Sequence, residues 1–314
     1  MRTAGAQRGV ALVTAVMIVA IAAAIAAQIA FAHQIWLRQM ENVADRGATD
    51  WLRRGALHWA SVALIDDAAQ GSTDHLGERW AMGLPTLPVE GGTIRVTIED
   101  AQSRFNLNNL GTANPTDLEI LRRLLEALRL DPSLRYALLD WIDPDSNVSP
   151  GGAEDIDYLN GNPPYRAANG LLASVDELRL VRGFDAKTVA TLSPYVTILP
   201  VTGSAINVNT ASPALLAAST GIDMAAAERI AENLRGDPVS DLAAFGSRLP
   251  RGVQLTGKFD VKTEYFLITL DTSIGRHQRR SEALLRRSAA DKSTTVLWHR
   301  PLPLMGPNET DNSQ

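Results

Sequence analysis

Residues 10–32 read VALVTAVMIVAIAAAIAAQIAFA, 23 positions without one charged side chain in a chain of 314. At about 1.5 Å per residue this run makes a helix roughly 34 Å long, enough for the ~30 Å hydrocarbon core of a bilayer. Arg2 and Arg8 precede it and Gly9 abuts it. Basic residues ahead of a span stay on the cytoplasmic side, so the bulk of the chain is expected outside.

A basic start followed by an apolar run fits three processing histories. One is a secretory signal, with an A-x-A-like site at Ala30-Phe31-Ala32. A second is an uncleaved anchor. The third is a prepilin-type leader, cut after Gly9 so that Val10 becomes the new N-terminus. The leader is very short and ends in glycine, and the apolar run exceeds the usual ~7–15 residue signal core. The helical pattern also continues well past the membrane. These features favour the third history.

Beyond the span, Trp36, Met40, Val43, Trp51, Gly55, Trp59 and Val62 recur at steps close to three, four and seven, the period of one helix face. That face is expected to pack against a following sheet. No proline occurs before Pro85, and Gly71-Ser72-Thr73 is the first break. One helix from residue 10 to about 69 would be roughly 90 Å long.

The composition narrows the rest. The formal net charge is −5, from 30 Lys and Arg against 35 Asp and Glu. That balance lacks the basic stripe of a nucleic-acid binder. There is no cysteine, which excludes disulfides, thiolate metal sites and cysteine nucleophiles. A small domain without disulfides often needs another staple, and a metal is one.

Residues 93–100 alternate with Ile94, Val96 and Ile98 on one side, a strand signature. Residues 257–269 and 294–299 are further strand candidates. Residues 275–287, rich in arginine, fit either an excursion or a solvated strand. Between 110 and 250 the pattern is helical. Helices are expected at 115–130, with Asn114 as N-cap and Pro115 near N1, at 133–141, from a capping box at Ser174-Val175-Asp176-Glu177, and at 185–192. A further pair opens at Ile206-Asn207-Val208-Asn209-Thr210. Phe105-Asn106-Leu107-Asn108 echoes that last motif, and each precedes a Gly-hydrophobic-Asp turn, Gly183-Phe184-Asp185 and Gly221-Ile222-Asp223. Two helix-hairpin-helix or SAM-like units result. Such units bind DNA backbone in many proteins, but Asp185 and Asp223 sit in these turns and only Lys187, Arg229 and Arg235 lie close.

The strongest chemical signal lies in residues 140–157, DWIDPDSNVSPGGAEDID, with no Lys or Arg. Clustered carboxylates repel unless a cation neutralises them, and hard oxygen donors in a Pro- and Gly-shaped loop suit Ca²⁺. Asp143, Asp145, Asn147 and Glu154 fall at positions 1, 3, 5 and 12 of an EF-hand count, with Asp155 and Asp157 beside them. Val148 stands where that loop requires glycine, so the site is expected to be irregular. A solvated acidic loop and a catalytic carboxylate pair are the alternatives. The five histidines show no ligand spacing, and no phosphate loop or G-x-S-x-G occurs. No enzymatic activity is expected.

The sequence resembles the type II secretion minor pseudopilin K family. The resemblance is carried by Arg8-Gly9-Val10-Ala11-Leu12, Asp100-Ala101-Gln102-Ser103-Arg104-Phe105-Asn106, Asp140-Trp141-Ile142-Asp143-Pro144-Asp145, Gly152-Ala153-Glu154-Asp155, Asn162-Pro163-Pro164-Tyr165-Arg166, Ser174-Val175-Asp176-Glu177-Leu178 and Ile206-Asn207-Val208-Asn209-Thr210. It implies an α+β fold. A long N-terminal transmembrane helix packs on a small antiparallel pilin-like sheet, and a large helical domain is inserted in that sheet. The expected units are a leader (1–9), a membrane segment (10–32), a first pseudopilin part (33–109), the insert with its calcium loop (110–250), a second pseudopilin part (251–304) and a disordered tail (305–314).

The resemblance further implies cleavage after Gly9 by the prepilin peptidase, N-methylation of Val10 and a single inner-membrane pass with a periplasmic C-terminal domain. It implies a tip complex with minor pseudopilins I and J, contact with minor pseudopilin H and the major pseudopilin G through the stalk, and calcium at residues 143–157. Nucleic acid is not an expected partner. Most pilin-like proteins carry glutamate five residues into the mature chain, where it meets a neighbour's terminal ammonium. Here that position is Thr14, which favours the first place in the filament, as does the bulk of the insert. The competing readings are a membrane-anchored DNA-binding or uptake protein and a calcium-dependent hydrolase released after Ala32.

Overall fold

The computed structural model describes residues 4–71, 73–83 and 85–304, with side chains from residue 10 onward. The expected disordered tail lies outside these residues, as does Ser72. Helix α1 runs Ala4–Gln70 without interruption, as the absence of proline allows. Its apolar part is long enough to cross a membrane and none of it is buried.

After α1 come the strands β1, Leu87–Val89, β2, Gly92–Asp100, and β3, Phe105–Asn106. The helical region follows, with α2, Pro115–Ala127, α3, Leu134–Ile142, α4, Asp155–Leu159, and α5, Ala186–Leu192. Two short strands, β4, Val196–Thr197, and β5, Ile206–Asn207, precede α6, Pro213–Thr220, α7, Met224–Gly236, and α8, Leu242–Arg248. The chain closes with β6, Phe259–Asp260, β7, Tyr265–Ile274, β8, His277–Ser288, and β9, Ser293–Leu302.

The main sheet has the order β1-β2-β7-β8-β9, antiparallel throughout. Strand β2 pairs with β7 from Gly92↔Ile274 to Asp100↔Phe266, so the whole helical region leaves and re-enters between two neighbouring strands. Ile94, Val96 and Ile98 face α1 as the alternation predicts, meeting Phe266, Ile268 and Leu270. On the other face Tyr265 and Leu267 pack with Leu284, Leu199 and Ala101. The start of β7 is thus covered on both sides, which erases its period-two pattern.

The helix face turned to the sheet differs from the one expected. Trp36, Met40, Val43, Trp51, Trp59 and Val62 are exposed, Trp51 at 71%. The buried face is Thr49, Ala56, Leu57, Ala60 and Leu64. Small side chains let the helix axis lie close to the sheet, and a tryptophan at Ala56 or Ala60 would push it away. Hydrophobicity alone therefore picked the wrong stripe. Three further expectations change. Most of the 275–287 stretch lies in β8, after a turn at Gly275-Arg276, and the middle of that strand, Ala283-Leu284-Leu285, is buried. The 257–269 candidate splits into β6 and β7. The Ser174 capping box opens a 3-10 segment, Val175–Leu180, with no side-chain cap. Glu177 instead accepts from Trp141 Nε1 at 3.0 Å and from the Ala173 amide at 2.9 Å.

The internal echo is structural. Asn106 and Asn207 each close an Asx turn on the amide two residues on. Two residues later, Asn108 bonds Leu172 and Leu199, and Asn209 bonds both backbone groups of Val239. All four asparagines are buried, and each bonds backbone groups outside the regular helices and strands, Asn106 and Asn207 also reaching the side chains of Asn109, Ser204 and Asp100.

Candidate metal centre in the acidic loop

Helix α3 carries Asp140 on its last turn and Asp143 at its C-cap. The loop then runs over Asp145 to Glu154, which is the N-cap residue of α4. Oxygens of Asp143, Asp145 and Glu154 lie within 4.8 Å of one another. Asp140, fully buried, stands beside them. Ser149 donates its amide to Asp140 Oδ2 at 3.0 Å. Four other oxygens of the cluster are bare. Asp140 Oδ1, Asp143 Oδ1 and both Glu154 carboxylate oxygens are buried without a hydrogen-bond donor.

Burial pushes the Asp143 carboxyl up, and repulsion from Asp145 and Asp140 adds to it. Burial likewise raises Glu154, followed by repulsion from Asp140 and Asp143. Unpaired buried carboxylates are expensive, and among the described residues no Lys or Arg pairs with these four. The neighbouring acids are treated differently. Asp155 accepts from the Ala167 amide and Arg166, and Asp157 from the Glu154 amide and Arg182.

Of the six expected ligands, the fold brings together Asp143, Asp145 and Glu154. It turns Asp155 and Asp157 to arginines. Asn147 is exposed, and its amide donates to Asp145 Oδ1 at 2.7 Å. Asp140 was missing from the expected set. Its spacing of three from Asp143 on a helix end puts both on one side, which was the available signal. Gly152 is the other unforeseen member. A Cβ there would lie 1.9 Å from Asp140 Oδ2. The donor set is all oxygen, anionic and without an internal cation, and so fits a hard divalent ion such as Ca²⁺.

An aromatic frame holds the loop. The Trp141 ring lies edge-on to Tyr158 at 5.1 Å, and the Tyr165 hydroxyl donates to Leu180 O at 2.9 Å. A second trio, Asp67, Asp74 and Glu78, also gathers its oxygens within 4.8 Å. There the buried Arg287 supplies the cation, donating to Asp74 at 2.6 Å and to Asp67 at 3.1 Å.

The hairpin turns lend no support to a DNA reading. Asp185 caps α5 through Thr188 N, and Asp223 caps α7 through Ala226 N. The chain's own carboxylates thus occupy the helix ends a phosphate would need.

A family model described as type II secretion system (T2SS), protein K, matches residues 103–201. The type II secretion system protein K of Pseudomonas aeruginosa is 33% identical over 303 residues, spanning 91% of this chain and 90% of its own. That of Aeromonas hydrophila is 30% identical, spanning 91% and 95%. A solved structure, the GspK-GspI-GspJ complex from the enterotoxigenic Escherichia coli type 2 secretion system, contains a chain matching with TM-score 0.68 and 28% identity, over 81% of this chain and 95% of that one. With its apolar N-terminal helix, its antiparallel sheet and a helical region between neighbouring strands, the chain belongs to the type II secretion system protein K family.

Proposed function

We propose that this chain is the minor pseudopilin that caps the secretion pseudopilus, nucleating its assembly with minor pseudopilins I and J and helping folded proteins cross the outer membrane. The observation that carries the reading is the likeness to a chain solved in a K-I-J complex. The prepilin peptidase cuts after Gly9, Val10 is methylated, α1 holds the chain in the inner membrane, and the C-terminal domain is periplasmic. Minor pseudopilin H and the major pseudopilin G join from below through the stalk.

Thr14 supports the tip position. Its hydroxyl reaches Val10 O and Ala11 O, each at 3.0 Å, so the hydroxyl is satisfied within its own helix. A carboxylate there would need a neighbour's ammonium in a medium where lone charges are expensive. The first pilin-like protein of a filament lacks such a neighbour. The role is structural, without catalysis.

Calcium at Asp140, Asp143, Asp145 and Glu154 completes the reading. When bound, it neutralises carboxylates that otherwise repel, and so fixes the junction of α3 and α4. The N-terminus of the mature protein tests the first part: a start at methylated Val10 supports it, and a soluble product starting at His33 sinks it. Co-purification of full-length chain with I and J tests the second. A titration of the metal-stripped protein that gives neither Ca²⁺ heat nor a melting shift removes the calcium.

A further inference from the structure

Strand β8 climbs beside α1. Its first residue, His277, meets Asn42 Oδ1 at 2.9 Å and lies 4.0 Å from Asp45. Near its other end Arg287 reaches Leu64 O and Asp67. The β7–β8 turn, Gly275-Arg276, therefore stands at the end of the sheet nearest the apolar run. The β1–β2 turn stands there too, since the Gly275 amide donates to Gly91 O at 3.0 Å.

This end is basic, in a chain whose formal net charge is −5. Arg276 and Arg279 are exposed and make no ion pair among the described residues. On α1, Arg38 and Arg46 lie one turn before and one turn after Asn42, on the face that meets the β7–β8 turn. They too are exposed and unpaired among the described residues. Of the acids close by, Asp50 pairs with Arg53 and Asp271 with Arg280, each at 3.5 Å, and Asp45 faces His277. Glu41 and Glu90 are the other two. In the orientation proposed above these arginines lie outside the span, where the usual bias puts few basic residues.

Their height above the bilayer suits a lipid contact. Asn42 follows Ala32 by ten residues, about 15 Å of helix. The headgroup layer takes up roughly 5–7 Å of that. With α1 upright the turn stands roughly 10 Å above the lipid surface, about one Debye length at ~0.1 M salt. Membrane helices tilt by about 20° on average, and basic interfacial anchors help to set the direction. A lean toward the sheet side brings Arg276 and Arg279 down to the headgroups.

We propose that the Arg276–Arg279 end of the head, with Arg38 and Arg46 on the stalk, docks on anionic lipid headgroups of the membrane that α1 spans. The inference rests on the anchor reading above and adds a lipid class. Guanidinium groups grip phosphate oxygens through paired N–H donors, and the turn presents two of them together. The contact fixes the tilt direction and rotation of α1, since these arginines occupy one side of it.

The test uses the full chain in vesicles. The chain has no cysteine, so Gln278→Cys, at an exposed position, takes a single fluorophore beside the turn. Ala290→Cys, exposed just past the far end of β8, is the distant control. Quenching by spin-labelled headgroups is measured in vesicles of phosphatidylcholine alone and in vesicles with a third phosphatidylglycerol. At position 278 the anionic lipid is expected to raise quenching at least about twofold, and high salt to abolish the gain. Position 290 should show no gain. Arg276→Gln combined with Arg279→Gln removes the gain at 278 while melting with wild type. Equal quenching in the two vesicles, with the chain inserted in both, overturns the proposal and leaves the anchor reading standing. A gain that survives the double substitution also overturns it. So does a double variant that loses I and J when lipid charge has no effect, which would assign the arginines to a protein surface. If the full chain inserts in neither vesicle, the anchor reading falls and the proposal with it.

Discussion

Gly152 and Asp140 touch in a way that admits no other residue at 152: the first carbon of any side chain would stand 1.9 Å from Asp140 Oδ2 and 2.7 Å from its Cγ. The obstruction is a buried carboxylate at the end of α3, held by the Ser149 amide. Gly152→Ala is therefore expected to displace Asp140 and weaken Ca²⁺ binding by at least about tenfold, measured by calorimetric titration. A melting temperature that rises normally on adding calcium would argue against this role for the pair.

Glu154→Gln should act with opposite signs in two media. In chelator, replacing one of four mutually repelling carboxylates by a neutral amide relieves repulsion, so the variant is expected to melt higher than wild type. With calcium present it loses a ligand and melts lower. The pH dependence follows. Asp143 and Glu154 are raised above their ordinary values, so the metal-free fold binds more protons than the unfolded chain. Its stability then falls as pH rises through the carboxylate range. Calcium-loaded protein should show the reverse, since protons compete with the ion. Melting curves at several pH values, with and without chelator, check each sign.

Asp100 ties three parts of the chain together. Its oxygens accept from Thr210 Oγ1 at 2.6 Å, Asn207 Nδ2 at 2.8 Å, the Gln102 amide at 2.7 Å and the Thr263 hydroxyl. The end of β2, the β5–α6 junction and the approach to β7 thus meet at one buried carboxylate. Burial raises its pKa, and the four donors oppose the rise. Asp100→Ala strands those donors and is expected to cost about 3–5 kcal/mol in denaturant unfolding. Asp100→Asn, which keeps shape and one acceptor, should cost less.

Much of this was visible in the residues. The uncharged run over 10–32, the alternation at 94–98 and the Asn-x-Asn echo each specify local structure through one strong rule of length, period or turn chemistry. The acidic loop raised the expectation of a cation because charge balance fails within eighteen residues, and the fold gathers three of its carboxylates. The failures share a cause. Which face of α1 meets the sheet depends on how closely two backbones approach, and small residues decided that against tryptophan. Whether Asp155 and Asp157 join the cluster depends on Arg166 and Arg182, brought from eleven and twenty-five residues away. Partnerships at that range belong to the fold.

Asp67 links the stalk to the sheet in a manner that pH should reveal. Its carboxyl is raised from 3.8 to about 6, by burial first, then by Glu78 and Asp74, against the pull of Arg287. A raised acid makes the folded state bind more protons than the unfolded one between the two values. Stability from this group is therefore full below about pH 4 and declines as pH climbs to about 6, with the loss complete above. Its side chain is 18% exposed, and the ceiling of about 3 kcal/mol set by the shift shrinks to about 1–2 after screening. Asp67→Asn keeps the shape and leaves Arg287 paired to Asp74. The variant is expected to match wild type near pH 4 and to exceed it by that amount near pH 7.5, in chemical unfolding. An advantage for wild type at pH 7.5 would mean that the Arg287 pair outweighs the crowding of three acids.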